Sequence, residues 1–115
     1  MKAIIYHNPR CSKSRQTLAL LEDKGIDLEI IEYLQTPPDQ QTLQDILIKL
    51  NKTPMDLMRK GEAIYKELNL DGKAEDTRAL LDAMVKNPIL IERPIVLANG
   101  KAAIGRPPES VLEIL

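Results

Sequence analysis

The sequence predicts an α/β fold, a four-stranded mixed sheet with a helical insertion between the second and third strands. Three observations carry this. Two short β-type runs flank a helical stretch near the N-terminus, a long segment of helical spacing follows, and an Asn-Gly pair divides two further apolar runs. A strand–helix–strand unit with short turns sets its strands parallel, whereas an Asn-Gly hairpin sets its strands antiparallel. The sheet must therefore be mixed.

Each element has its own signal. Ala3 to Tyr6 is a short apolar run halted at His7-Asn8-Pro9, which reads as a buried strand ended by a turn. Leu18, Leu21 and the stem of Lys24 follow at helical spacing, and Gly25 suits the position after a helix, so a helix is predicted from about Ser12 to Lys24. Leu28, Ile30, Ile31 and Tyr33 mark the second strand. After Thr36-Pro37-Pro38, Asp39 is placed to cap a helix carrying Leu43, Ile46, Leu47 and Leu50.

Thr53-Pro54 opens a short helix that Gly61 should close, and Ala63 to Leu70 adds a helical turn or two. Leu80, Leu81, Met84 and Val85 define a helix from about Glu75 to Asn87, ended before Pro88. Ile95 to Ala98 is a strand, Asn99-Gly100 the hairpin turn, and Lys101 to Ile104 the returning strand. A last helix from Pro108 carries Val111, Leu112 and Leu115.

At 115 residues the chain reads as one domain, residues 1–115. It lacks Trp and Phe, yet Leu and Ile together number thirty, so an aliphatic core is available. Its net charge of −1 argues against a general nucleic-acid binder, so any bound anion must be gripped by a few local cations. A single cysteine can form no internal disulfide, which points to the reducing cytoplasm. No apolar run fits a signal peptide or a membrane span.

That cysteine lies in HNPRCSKSR, residues 7 to 15, beside the only histidine. A free cysteine is commonly an inert buried hydrophobe. Here Cys11 has only Pro9 as an apolar residue within three positions and stands where a helix begins. Unpaired amides and the positive end of the helix dipole favour a thiolate there. Arg10, Lys13 and Arg15 add positive potential, and Ser14 offers a hydrogen bond three residues on. The same amides suit an electrophile that is itself an oxyanion.

Spacing narrows the chemistry. Cys11 to Ser14 is C-x-x-S, which lacks the second thiol of a dithiol oxidoreductase. Cysteine phosphatases space Cys and Arg as C-x₅-R, and the matching position here is Thr17. An oxidised Cys11 must then be rescued by a thiol from outside the chain. His7, at the end of the first strand, is either a turn histidine or a modulator of the cysteine. Arg59, Arg93 and Arg106 all fall in chain breaks, where a planar fork of donors can be displayed to a tetrahedral oxyanion.

The stretches IIYHNPRCSKSRQTL, EYLQTPP, LMRKGEAIYKELNL, NPILIERPIV and GRPPESVLEIL, in this order, resemble the glutaredoxin-coupled arsenate reductase family. The resemblance spans nearly the whole chain. It implies a thioredoxin-like fold, with a cis bond at Arg93-Pro94. It implies Cys11 as nucleophile, His7 and Ser14 as its partners, and Arg59, Arg93 and Arg106 as oxyanion ligands. Around the cysteine the chain departs from the best-known enzymes by carrying Arg10, Ser12 and Lys13 where they have small residues.

The implied reaction is arsenic detoxification: arsenate reduced to arsenite through a cysteinyl-arsenate intermediate on Cys11. Glutathione is the co-substrate and glutaredoxin the reductant, with no bound cofactor, metal, nucleic acid or membrane partner. The alternative readings are a glutathione-dependent thiol-disulfide reductase of the same fold and a non-enzymatic regulator that binds RNA polymerase. The cations have a physical task in the first reading. A thiolate about 4 Å from a dianion meets repulsion of about 2 kcal/mol in water, and about 8 at an effective dielectric near 20.

Overall fold

The computed structural model describes residues 2–115. Strands β1 (Lys2–Tyr6), β2 (Asp27–Ile31), β3 (Ile95–Ala98) and β4 (Lys101–Ile104) form one sheet in the order β2-β1-β3-β4. Helix α1 (Ser12–Asp23) joins β1 to β2. Between β2 and β3 the chain runs through α2 (Gln40–Leu50), α3 (Pro54–Leu57), α4 (Ala63–Glu67) and α5 (Thr77–Lys86). Short 3-10 turns occupy Leu70–Lys73, Pro88–Leu90 and Pro108–Ile114. The chain packs as two units, one joining the stretch up to Thr36 with Arg93–Leu115, the other being Pro37–Glu92.

In the first unit, β1 runs parallel to β2, with Ile5 opposite Ile30, and antiparallel to β3, with Ile5 opposite Val96. Its apolar run suits an interior strand flanked on both edges. Ala3, Ile5, Leu21, Val96, Ala98, Val111 and Ile114 form the core here. The chain leaves α1 through Gly25, whose φ of +69° would strain a residue with a Cβ. Asn99 and Gly100 both have positive φ, so the β3–β4 hairpin turns with the hand that matches strand twist. Asn99 Nδ2 also donates to the Ile114 carbonyl at 2.9 Å, tying this turn to the C-terminal segment.

In the second unit, Asp39 caps α2 by accepting the Thr42 amide at 2.8 Å, and Asp76 likewise caps α5 through Ala79. Thr53 and Asp56 form a reciprocal capping box at α3. Helix α2 packs on α5, burying Leu43, Ile46 and Leu47 on one element and Leu80, Leu81 and Met84 on the other. Tyr65 donates its hydroxyl to Asp71. Among the described residues no helix is long and apolar enough to cross a membrane.

Three elements depart most from the sequence expectation. The second strand stops at Ile31, and Tyr33 is buried beyond it in a turn, so its burial does not report strand pairing. Helix α3 ends at Leu57 instead of near Gly61. Its continuation is pre-empted by extended pairing: Met58 bridges Ile91, Glu92 N–H donates to Leu57 O, and Arg59 N–H donates to Leu90 O. The final helix is 3-10 throughout.

Candidate active site

The turn after β1 is built by backbone bonds that its sequence makes available. His7 N–H donates to Ile31 O at 2.8 Å, extending the β1–β2 ladder by one residue. The Asn8 side chain accepts the Arg10 amide, and its carbonyl accepts the Cys11 amide, both at 3.0 Å. This Asx-type turn delivers Cys11 to the N-cap of α1 in extended conformation. The Arg15 amide closes the first helical bond on the Cys11 carbonyl, and the Arg15 guanidinium reaches back to Pro9 O.

Cys11 is a free cysteine, 9 % exposed. Burial pushes its thiol up. The Ser14 amide, the Arg93 guanidinium and the Lys13 amide outweigh that effect and hold it below the ordinary value. No side-chain cap meets strict hydrogen-bond geometry at this helix start, so the amides act on the sulfur chiefly as oriented dipoles. Arg106 Nη2 stands 3.5 Å from the sulfur. Amides and two guanidinium groups therefore surround the sulfur with positive charge and bias it toward the thiolate.

His7 and Ser14 meet directly, with Nδ1 and Oγ 2.6 Å apart and both residues buried. The Asn8 amide donates to the same hydroxyl oxygen at 3.0 Å. Burial is the main influence lowering the His7 pKa, helped by Arg15 and opposed by Glu32 and Glu22. A neutral ring can take the hydroxyl hydrogen on Nδ1 while Oγ receives the Asn8 N–H. Ser14 thus reaches the cysteine through its backbone amide, while its hydroxyl is engaged with His7 and Asn8.

The two C-terminal arginines are held to each other. Arg106 Nε donates to the Arg93 carbonyl at 2.8 Å, and both Arg93-Pro94 and Arg106-Pro107 are cis. Gly105 brings the segments together, its N–H donating to Pro94 O at 2.9 Å. A Cβ on Gly105 would lie 2.5 Å from Thr17 Oγ1 and 2.7 Å from Pro94 Cγ, so only glycine allows this approach. Thr17 is itself buried, donating its hydroxyl to the Lys13 carbonyl.

The first unit thus brings together Cys11, His7, Ser14, Arg93 and Arg106. Arg59 belongs to the second unit, where Nε meets Glu62 at 3.3 Å and Nη1 meets Glu92 at 2.8 Å. Burial lowers its pKa, but the two carboxylates outweigh this and raise it. Asn8, Thr17 and Gly105 were not singled out from sequence. Asn-Pro before a helix and Gly before Arg106 were available signals, whereas nothing local marked Thr17. Among the described residues no group of three or more His, Cys, Asp or Glu side chains could hold a metal ion.

Comparison with known proteins identifies the family and the fold. The ArsC family model matches residues 6–114. The chain is 58% identical over 112 residues to the uncharacterized protein YfgD of Escherichia coli strain K12, covering 96% of this chain and 94% of that protein. It is 54% identical over 112 residues to an arsenate reductase of Neisseria meningitidis serogroup A, covering 96% of each. A solved structure, an arsenate reductase from Vibrio cholerae, matches with a TM-score of 0.96 at 52% identity, covering 100% of this chain and 98% of that one. The sheet is the thioredoxin-like arrangement of these structures.

Proposed function

The chain belongs to the ArsC family, and from that premise we propose that it reduces arsenate to arsenite with glutathione and glutaredoxin, using Cys11 as nucleophile. One observation carries the reading: a thiol biased toward thiolate with an arginine fork 3.5 Å from its sulfur.

The steps follow from the charges. Arsenate docks on Arg93, Arg106 and the amides that open α1. Cys11 thiolate attacks arsenic, an As–O bond breaks, and water or hydroxide leaves, giving the cysteinyl-arsenate adduct. Glutathione thiolate then attacks arsenic, and a second As–O bond breaks with loss of water or hydroxide. The glutaredoxin thiolate attacks the glutathionyl sulfur, the S–As bond breaks, and its electron pair stays on arsenic. A glutaredoxin–glutathione disulfide forms, so two thiols lose two electrons while arsenic(V) becomes arsenic(III). Water then displaces the Cys11 sulfur from arsenic, which releases arsenite and restores the thiolate. His7 orients Ser14, and through it the start of α1, and is a positioning residue in this scheme. The resemblance adds Arg59 as a third oxyanion ligand. Reduced glutathione is a cytoplasmic thiol, so the cytoplasm is the proposed setting.

The test is arsenite formation by wild type and Cys11→Ser, with glutathione and glutaredoxin supplied. Wild type should form arsenite and the variant none. Folded wild type that forms none, while still exchanging glutathionyl groups at Cys11, would replace this reading with that of a thiol-disulfide reductase. Arg59→Ala tests the third arginine: arsenate turnover unchanged by it would remove Arg59 from the reaction.

A further inference from the structure

The first twenty-one residues carry four basic side chains and no acidic one, although the whole chain has a net charge of −1. Two of the four, Arg10 and Lys13, stand one position before and two after Cys11. Both are exposed, and among the described residues neither enters a salt bridge. The nucleophile does not account for them. What holds the thiol down is two amides and the Arg93 guanidinium, and Lys13 contributes only its backbone. Arg93 and Arg106 already supply the inner cations. Two outward charges beside a reactive sulfur are left with no task.

We propose that Arg10 and Lys13 are the docking site for an anionic thiol co-substrate, glutathione, and select it over uncharged thiols. The proposal rests on the reading of Cys11 as a nucleophile served by glutathione. Glutathione carries two carboxylates and one ammonium, so it is a monoanion as a thiol and a dianion as a thiolate. Its carboxylates lie at the two ends of a tripeptide with the sulfur between them. Arg10 and Lys13, flanking Cys11 in sequence and both exposed, offer one cation for each carboxylate. Cys11 is only 9 % exposed, which favours a slim tripeptide thiol over a folded partner as the first group to reach it. The dianion must also approach an adduct that is itself anionic, so rim cations raise its local concentration where repulsion would otherwise exclude it.

Disulfide exchange without arsenate tests this directly. Cys11 thiolate attacks one sulfur of oxidised glutathione, the S–S bond breaks, a Cys11–glutathione disulfide forms, and glutathione thiolate leaves. The uncharged control is bis(2-hydroxyethyl) disulfide, with both adducts followed by mass spectrometry. In Arg10→Ser/Lys13→Ser the rate with oxidised glutathione should fall about tenfold, while the rate with the neutral reagent stays within about twofold. Arg10→Glu/Lys13→Glu should slow oxidised glutathione further. At 1 M salt, where screening acts within about 3 Å, the wild-type preference should vanish.

Equal losses with both reagents, or no loss with either, would overturn the proposal. So would normal adduct formation combined with slowed removal of the adduct by glutaredoxin, which would assign the two charges to the protein partner. The outcome is separable from that of arsenate reduction. A chain that makes no arsenite yet keeps the charge preference loses only the arsenate reading. One that makes arsenite without any preference loses only this docking site.

Discussion

Arg106 and Cys11 lie 95 positions apart in sequence, yet a guanidinium nitrogen of the one stands 3.5 Å from the sulfur of the other. The same guanidinium donates Nε to the Arg93 carbonyl at 2.8 Å, so one rigid fork serves two acceptors. A lysine at this position could not do both. Arg106→Ala should cost about 1.5–3 kcal/mol in kcat/KM for arsenate, roughly a ten- to 150-fold loss. Arg106→Lys should recover part of that loss. Steady-state kinetics decide it, and an unchanged kcat/KM in Arg106→Ala would take this arginine out of the site.

The Cys11 thiol ionises below its ordinary value, with burial opposed by the Ser14 amide, the Arg93 guanidinium and the Lys13 amide. The alkylation rate by iodoacetamide should therefore rise with pH at a midpoint below that of a free thiol, and Arg93→Ala should move the midpoint up. A midpoint unmoved by Arg93→Ala would leave the amides as the sole cause. Linkage fixes the sign for stability. The native thiol ionises first as pH rises, so the stabilisation is fully present above the unfolded thiol's value of about 8.5 and is lost as pH falls through the native value. Cys11→Ser should lack that dependence in urea titrations.

His7 titrates in the opposite chemical sense, being a base that burial keeps neutral. As pH falls the unfolded chain takes up the proton first. Its contribution is present above about 6.5 and lost as pH drops through that value toward the native one. Unfolding of wild type at pH 7.5 and pH 5, compared with His7→Asn, measures it, and equal slopes for the two proteins would refute it.

Ser14→Ala removes the acceptor for the Asn8 amide and the partner of His7. Because these groups are buried, the loss should cost about 1–3 kcal/mol of stability. Denaturant midpoints report this, and a midpoint equal to wild type would show that water replaces the hydroxyl at no cost.

Gly105→Ala would press a methyl group against Thr17 Oγ1 at 2.5 Å and Pro94 Cγ at 2.7 Å. Overpacking of this kind should destabilise the protein by about 1–3 kcal/mol. In a Thr17→Ala background only part of the loss should return, because the Pro94 ring still blocks the methyl group. Full recovery would show that Thr17 alone sets the tight approach.

Local signals were readable wherever a side chain acts on its own neighbourhood. Asp39 and Thr53 cap helices as their positions imply, and Asn99-Gly100 turns the hairpin. Cys11 at the start of α1 was legible for the same reason. What escaped were contests between local and distant bonds. The helix from Pro54 yields at Met58 because Ile91, thirty-three positions on, offers an extended partner. The Gly105 contact with Thr17 depends on segments that only the sheet brings together. Arg59, Arg93 and Arg106 stood out by their place in chain breaks, and the resemblance implied them as oxyanion ligands. That Arg106 would also hold the Arg93 carbonyl follows from geometry alone.

The long separation of Cys11 from Arg106 also bears on biosynthesis. At about 5–20 residues per second, roughly 5 to 20 seconds pass between the ribosome adding the sulfur and adding its guanidinium partner. Through that interval the nascent thiol lacks the cationic clamp it has at maturity. A polypeptide released before Arg106 would keep its sulfur and lack the guanidinium that stands beside it in the finished chain.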